Sequence, residues 1–265
     1  MNRLTQAVAK NNGAPILGAA AYIYNPTFLE IAALAGFKAA WIEMEHTFLT
    51  IAQAADLCRI AQGLGMLTMI RIPDTRRATV LQATECAPDI LDLPMANSPE
   101  TIREFVHHAK FPPEGVRGWF SVSRAVKYGL DGPVPEVQAK LNQELCLIAQ
   151  VETKEAVDRV EELCAVPGID GIFVGPGDLS ASLGVPGQTR HSLVLKAAER
   201  TICAAKAHGK QTATAVGTQD LEFWLEQDLD LLFCINDIAA MKAGAQDAME
   251  QACAAMEKSR AGSRF

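Results

Sequence analysis

At residues 41–50 the chain reads WIEMEHTFLT, so two carboxylates and an imidazole, Glu43, Glu45 and His46, close the apolar run AAWIEME. A strand entering a core has no reason of its own to end in ionisable groups. Others recur in the same kind of place: Arg71 in MIRIPD, Gln150 and Glu152 in IAQVET, and Asp178 in VGPGDLS. Glu85 stands near the end of the helical pattern that precedes DILDLPMANS. Carboxylates at the ends of neighbouring strands suit a hard divalent cation such as Mg²⁺ or Mn²⁺, and no cysteine–histidine cluster points to zinc. Gly175 and Gly177 let backbone amides approach a small anion, although the stretch does not match the phosphate loop GxxxxGK[ST]. Each group also has a plainer reading. His46 could neighbour a helix cap, Arg71 could serve a structural ion pair, and Glu152 and Asp178 could cap helices. Thr153 and Ser180 are the more natural caps, which leaves those two carboxylates free for chemistry.

These groups need a scaffold that brings strand ends to one face. Short apolar runs occur at 16–23, 39–45, 67–73, 89–96, 145–153, 168–176, 211–216 and 231–236, each followed by helical spacing. SPETIREFVHHAKFPP opens with Ser98 and Pro99 as N-cap and first helical residue and stops at Pro112. Alternation of eight such units predicts an α/β fold, a single (β/α)8 barrel over residues 1–265, with a doubly wound open sheet as the competitor. Barrel active sites lie at the C-terminal ends of the strands, where all these polar groups would converge. Gln150 and Glu152 alternate along one strand and share a face. Residues 112–144, rich in proline and glycine, form the one long interruption, expected near the active-site mouth.

The chain is 265 residues long, 49% hydrophobic and 21% charged, with a formal net charge of −7. No segment concentrates Lys and Arg, which excludes a nucleic-acid footprint. No stretch approaches the roughly 18 apolar residues of a membrane span, and MNRLTQAVAK has no signal-peptide core. Seven scattered cysteines without a CxxC pair fit reduced thiols in a cytoplasmic protein. The last helical pattern, AAMKAGAQDAMEQACAAMEKS, is rich in Ala and Met and suits packing on this barrel or on a neighbour.

The block IAQVETKEAVDRVEELCAVPGIDGIFVGPGDLSASLG (148–184) resembles the signature region of the HpcH/HpaI family of metal-dependent class II pyruvate aldolases, which includes 4-hydroxy-2-oxoheptanedioate and 2-dehydro-3-deoxyglucarate aldolases. EMEHTFLT, IRIPD, LPMANSPE and FPPEGVRGWF follow in that family's order, and the resemblance covers roughly residues 15–240. It implies a TIM barrel of the phosphoenolpyruvate/pyruvate type, assembled as a homohexamer, with the C-terminal helix exchanged between subunits. It implies Glu152 and Asp178 as ligands of Mg²⁺, Mn²⁺ or Co²⁺, His46 as general base and Arg71 as the enolate-stabilising guanidinium. Gln150 and the backbone around Gly177, together with Asp178 and Arg71, would bind substrate, and Glu85 would stand for the aspartate that orients the histidine. Glu43 and Glu45 would support them from behind. The chain departs from the family's Asp-Gly-Glu-His with Glu43-Met44-Glu45-His46, and Met44 is expected to add bulk at the mouth. Trp119 and Phe120 replace smaller residues, so the acceptor aldehyde is left open.

The implied reaction is reversible retro-aldol cleavage of a 4-hydroxy-2-oxo acid to pyruvate and an aldehyde. A metal polarises the C2 carbonyl, Arg71 meets the enolate charge, and His46 moves the proton. No lysine stands among the strand-end groups, which disfavours a Schiff base. An acyl-CoA lyase of malyl- or citryl-CoA type, an oxaloacetate decarboxylase and a non-catalytic small-acid sensor are the competing readings.

Overall fold

Strand alternation sorts the apolar runs into two layers, and the computed structural model, which describes residues 1–262, places each layer where that alternation requires. The strands are β1 (Ile16–Ala21), β2 (Ala39–Glu43), β3 (Leu67–Arg71), β4 (Ile90–Leu93), β5 (Cys146–Val151), β6 (Gly171–Val174), β7 (Gln211–Ala215) and β8 (Leu231–Asn236). All pair in parallel in sequence order, and β8 returns to β1 to close the barrel. The expected barrel is therefore the observed one, and the open sheet is excluded.

The helices are α1 (Arg3–Lys10), α2 (Pro26–Ala35), α3 (Ile51–Gly63), α4 (Arg77–Glu85), α5 (Pro99–Ala109), α6 (Val134–Glu144), α7 (Lys154–Asp158), α8 (Val160–Cys164), α9 (Pro176–Ser182), α10 (Ser192–Ala207), α11 (Leu221–Leu225) and α12 (Asp237–Gly262). The outer strand faces, including Ile42, Ile70, Leu91, Leu147 and Ile172, pack on Leu57, Val80, Phe105, Leu163 and Val194 of the helices. Burying each such side chain contributes about 1.5–3 kcal/mol. The inner faces meet on the axis. Trp41 lies 5.4 Å from Phe173 and 5.3 Å from Phe233, ring centre to ring centre. Gly18 is required beside this cluster, because a Cβ there would stand 2.4 Å from the Phe233 ring. Leu4 of α1 joins the inner cluster, and Arg3 of the same helix ties Asp89 (2.6 Å) and Glu144 (3.0 Å).

Helix starts follow local chemistry. Ser98 caps α5 with Pro99 at its first position, and Thr153 caps α7 through the Ala156 amide, both as expected. Ser180 is not a cap. Pro176 begins α9 earlier, so Ser180 lies inside that helix and donates to the Gly177 carbonyl at 2.6 Å.

Residues 112–144 include a 3₁₀ segment (Arg124–Gly129) and α6. Arg117 of this stretch reaches Glu85, Arg124 reaches the Cys86 carbonyl and Gln62, and Glu144 reaches α1. None of its residues lines the mouth cavity on the β1, β7 and β8 side. Trp119 packs edge-on against Phe111 at 5.7 Å and lines an apolar hollow between α3 and α4 with Phe120. Beyond its first turns α12 leaves the barrel. From Met241 to Ser259 its side chains are exposed, apart from half-buried Cys253.

Candidate active site

Parallel register places chemistry from three strands at one depth. Glu43 is the Cα partner of Arg71, and Arg71 is the partner of Asp92. Glu43, 1% exposed, accepts from Arg71 Nε through Oε2 at 2.5 Å. Its Oε1 accepts from the amides of Glu45 (2.6 Å) and His46 (3.1 Å), and its carbonyl accepts from the Thr47 hydroxyl. One buried carboxylate thus fixes both the guanidinium and the turn that carries His46. This answers why the strand ends in charge: its last residue is the hub of the mouth.

Arg71 is held on several sides. Its Nε lies 3.3 Å from Glu45 Oε2, its Nη1 donates to Gln150 Oε1 at 3.5 Å, and its guanidinium carbon lies 4.8 Å from the Trp41 ring centre. Burial alone would lower its pKa, but Glu43, Asp92 and Glu45 outweigh burial and raise it. It stays a cation throughout the working range.

Gln150 turns its amide nitrogen to Glu152 Oε2 at 2.7 Å. Glu152 Oε1 accepts from the Met95 amide at 2.7 Å. Met95 adopts a left-handed φ of 50°, which non-glycine residues rarely take, in the LPMAN turn that carries this amide. Gly175 is required across from it, since a Cβ would come within 2.8 Å of Glu152 Cβ and Gln150 Nε2. Burial first, then the negative charge of Asp178 and Glu45, pushes the Glu152 carboxyl up to about 7, against the Met95 amide and Arg71. Asp178 stands exposed in the first turn of α9.

His46 is exposed, its side chain 62% accessible, and its Nε2 lies 3.4 Å from Glu45 Oε2. That oxygen is buried and has no hydrogen-bond partner. Burial foremost raises the Glu45 pKa against the pull of Arg71 and His46.

Within this chain the structure does not bring Glu85 to the imidazole. A helix following a strand runs back toward the barrel base, and Glu85 ends α4, where it accepts from Arg117 Nη2 at 3.1 Å. The carboxylate beside His46 is Glu45. Met44 adds no bulk to the mouth; it packs against the apolar layer between strands and helices. Asp92 was not singled out from sequence. It is fully buried, both of its side-chain oxygens lack hydrogen-bond partners, and burial drives its pKa well above the carboxylate range despite Arg71. The signal was present in DILDLP, where Asp92 follows Ile90 at the inward period of two.

Glu43, Glu45, Asp92 and Glu152 thus crowd one guanidinium, and Asp178 acts on Glu45 and Glu152; the raised carboxyls of Glu45, Asp92 and Glu152 mark a crowding that a divalent cation would relieve. Among the described residues no group of three or more His, Cys, Asp or Glu side chains could hold a metal. A hard cation held by Glu152 and Asp178 alone would keep most of its positions for water and substrate. The raised Glu152 pKa makes this testable by titration calorimetry. Below about pH 7 the carboxyl carries a proton that an entering cation must displace, so Mn²⁺ affinity rises with pH, by up to tenfold per unit, and levels off above about 7. Proton release on binding should shrink over the same range. An affinity that is flat with pH and releases no proton would remove Glu152 from the ligand set.

The HpcH/HpaI aldolase/citrate lyase family model matches residues 22–222. The chain is 35% identical over 182 residues to the 2-keto-3-deoxy-L-rhamnonate aldolase of Escherichia coli (strain K12), covering 68% of this chain and 67% of the relative. It is 27% identical over 223 residues to the 5-keto-4-deoxy-D-glucarate aldolase of Klebsiella pneumoniae, covering 84% and 86%. The crystal structure of an HpcH/HpaI aldolase from Desulfitobacterium hafniense DCB-2 superposes with a TM-score of 0.85 at 28% identity, covering 95% of this chain and 96% of that one.

Proposed function

The chain belongs to the HpcH/HpaI aldolase/citrate lyase family, and from that premise we propose that its barrel mouth cleaves a 4-hydroxy-2-oxo acid reversibly to pyruvate and an aldehyde with the aid of a divalent metal ion. The protein is a carbon–carbon lyase, a pyruvate-dependent class II aldolase. The observation that carries the site assignment is the buried guanidinium of Arg71 among Glu43, Glu45, Asp92 and Gln150, with Glu152 one contact further on.

Breaking the C3–C4 bond leaves an electron pair on C3 that must pass into the C2 carbonyl. Mg²⁺, Mn²⁺ or Co²⁺, held by Glu152 and Asp178, would act as a Lewis acid toward that carbonyl. Arg71 supplies fixed positive charge where the enolate oxygen develops; Glu43 and Trp41 hold it in place, so little reorganisation is needed. Gln150 and the backbone at Gly177 orient the substrate carboxylate. His46 takes the 4-hydroxyl proton during cleavage and serves the C3 proton of pyruvate in the half-reaction. Glu45, beside the ring, favours the imidazolium that forms. No lysine lines the mouth cavity, consistent with an enolate rather than a Schiff-base route. The direct test is pyruvate release from a 4-hydroxy-2-oxo acid, coupled to lactate dehydrogenase. Purified protein silent on every such acid, and in the reverse direction on every aldehyde with pyruvate, would end this reading.

We also propose a homo-oligomer, specifically a hexamer with α12 exchanged between subunits. α12 carries Met249 and Met256 into solvent, 61% and 52% exposed, on a helix its own barrel does not cover. Light scattering at micromolar concentration should give a mass several times that of one chain. A monomer there would sink the proposal, and truncation before Met241 should lower the mass. A cytoplasmic setting fits seven cysteines that are all free thiols, and no helix among the described residues is long and apolar enough to cross a membrane.

A further inference from the structure

We infer that the acceptor half of this site takes an uncharged, hydroxylated aldehyde rather than one bearing a carboxylate; this rests on the lyase reading above. A cavity of about 550 Å³ opens on the β1, β7 and β8 side of the mouth. Trp41 and Phe233 line it, and the Trp41 ring also carries the Arg71 guanidinium. Gly177, next to the metal ligand Asp178, lines it too. The cavity therefore adjoins the place where the enolate forms, and it is the volume into which carbons beyond C4 can extend.

Its polar lining is donor- and acceptor-rich but carries only one formal charge. Thr189, Thr218, Gln219 and Asn236 contribute neutral groups, and Asp220 contributes the charge. Asp220 is 6% exposed, and its Oδ1 is enclosed without a hydrogen-bond partner, so the carboxylate meets the cavity by its other edge. Arg190 Nε lies 3.5 Å from that oxygen, but the arginine side chain is 66% exposed and does not line the cavity. A carboxylate that lines the cavity accepts from a ligand hydroxyl in a charge-assisted hydrogen bond. It repels a second carboxylate at close quarters, with no lining cation to compensate.

The test measures kcat/KM for pyruvate addition to four aldehydes. Glyceraldehyde and propanal share a three-carbon skeleton; succinic semialdehyde and butanal share a four-carbon one. Unmodified enzyme should favour glyceraldehyde over propanal, and butanal over succinic semialdehyde, each by about tenfold or more. An α-oxygen activates a carbonyl by itself, so the decisive readout is the change of ratio on substitution. Asp220→Leu should shrink the glyceraldehyde preference by about tenfold, and the nearly isosteric Asp220→Asn should relieve the penalty on succinic semialdehyde by a similar factor. A preference for succinic semialdehyde over butanal in the unmodified enzyme overturns the inference. So do ratios that a folded Asp220→Asn leaves unmoved. Proton exchange at pyruvate C3 separates the two failures: exchange without the aldehyde discrimination defeats this inference alone, whereas no exchange and no addition defeats the lyase reading with it.

Discussion

Excess EDTA should bring turnover of a 4-hydroxy-2-oxo acid to background, and Mg²⁺, Mn²⁺ or Co²⁺ added back should restore it. The expectation follows from the charge balance of the mouth. Glu43, Glu45, Asp92, Glu152 and Asp178 share a space with Arg71 as its cation, and burial with mutual repulsion already drives Glu152 to about 7. Without a metal, the enolate would bring a further negative charge to carboxyls already raised by crowding. Glu152→Ala and Asp178→Ala should each remove metal-dependent turnover while leaving the barrel folded. Asp178 is exposed, and Glu152 loses only hydrogen bonds to Gln150 and Met95. Full activity under chelation, with metal content confirmed below stoichiometric, would overturn the metal assignment.

Arg71→Ala and His46→Ala should fail differently. Arg71 meets a charge common to every reaction that passes through the enolate, so aldol cleavage, oxaloacetate decarboxylation and pyruvate proton exchange should all fall by about 10²–10³-fold. Arg71→Lys should recover only part, because a point charge cannot reproduce the planar fork shared between Glu43 and Gln150. Removing the guanidinium also leaves Glu43 buried and unpaired, at a cost of about 3–5 kcal/mol in stability, so folding must be checked in parallel. His46 matters only where a proton moves. Decarboxylation forms the enolate by losing CO₂, without a base. His46→Ala should therefore lose aldol cleavage and exchange by about 10²–10⁴-fold and keep a substantial share of decarboxylation. Its side chain is exposed, so stability should hardly change. Equal loss of all three reactions would instead place His46 in the organisation of the metal's water shell.

The barrel was legible because each apolar run keeps its period. All eight expected runs contain the observed strands, and the residues that ended them, Glu43, Arg71 and Glu152, face one mouth. Pairing across strands was less legible. Sequence spacing could not say that Glu43, rather than a residue on a helix, would hold Arg71, since that depends on the β2–β3 register. Glu85 was read by position in a family pattern; the direction of α4 takes it to Arg117. Asp92 escaped because a single aspartate inside an apolar run looks like a strand edge until the barrel closes around it. Asp220 lies in a turn after β7, where chain order gives no hint that it lines the same cavity as Trp41 and Gly177. Ser180 misled for a local reason: a serine in GPGDLS resembles a cap, but the proline two residues before Asp178 starts the helix first.

The aromatic floor has a kinetic consequence. Trp41, Phe173 and Phe233 close the barrel axis beneath Arg71, so the mouth has a single door and no rear exit. A small acid seated against Arg71 and Gln150, as proposed, would sit on this floor with the aldehyde between it and the door. In the cleavage direction the aldehyde would then depart before pyruvate; in synthesis pyruvate would arrive first. With the proposed seating, a compulsory order of traffic is expected, in which a tightly held aldehyde would trap the pyruvate beneath it.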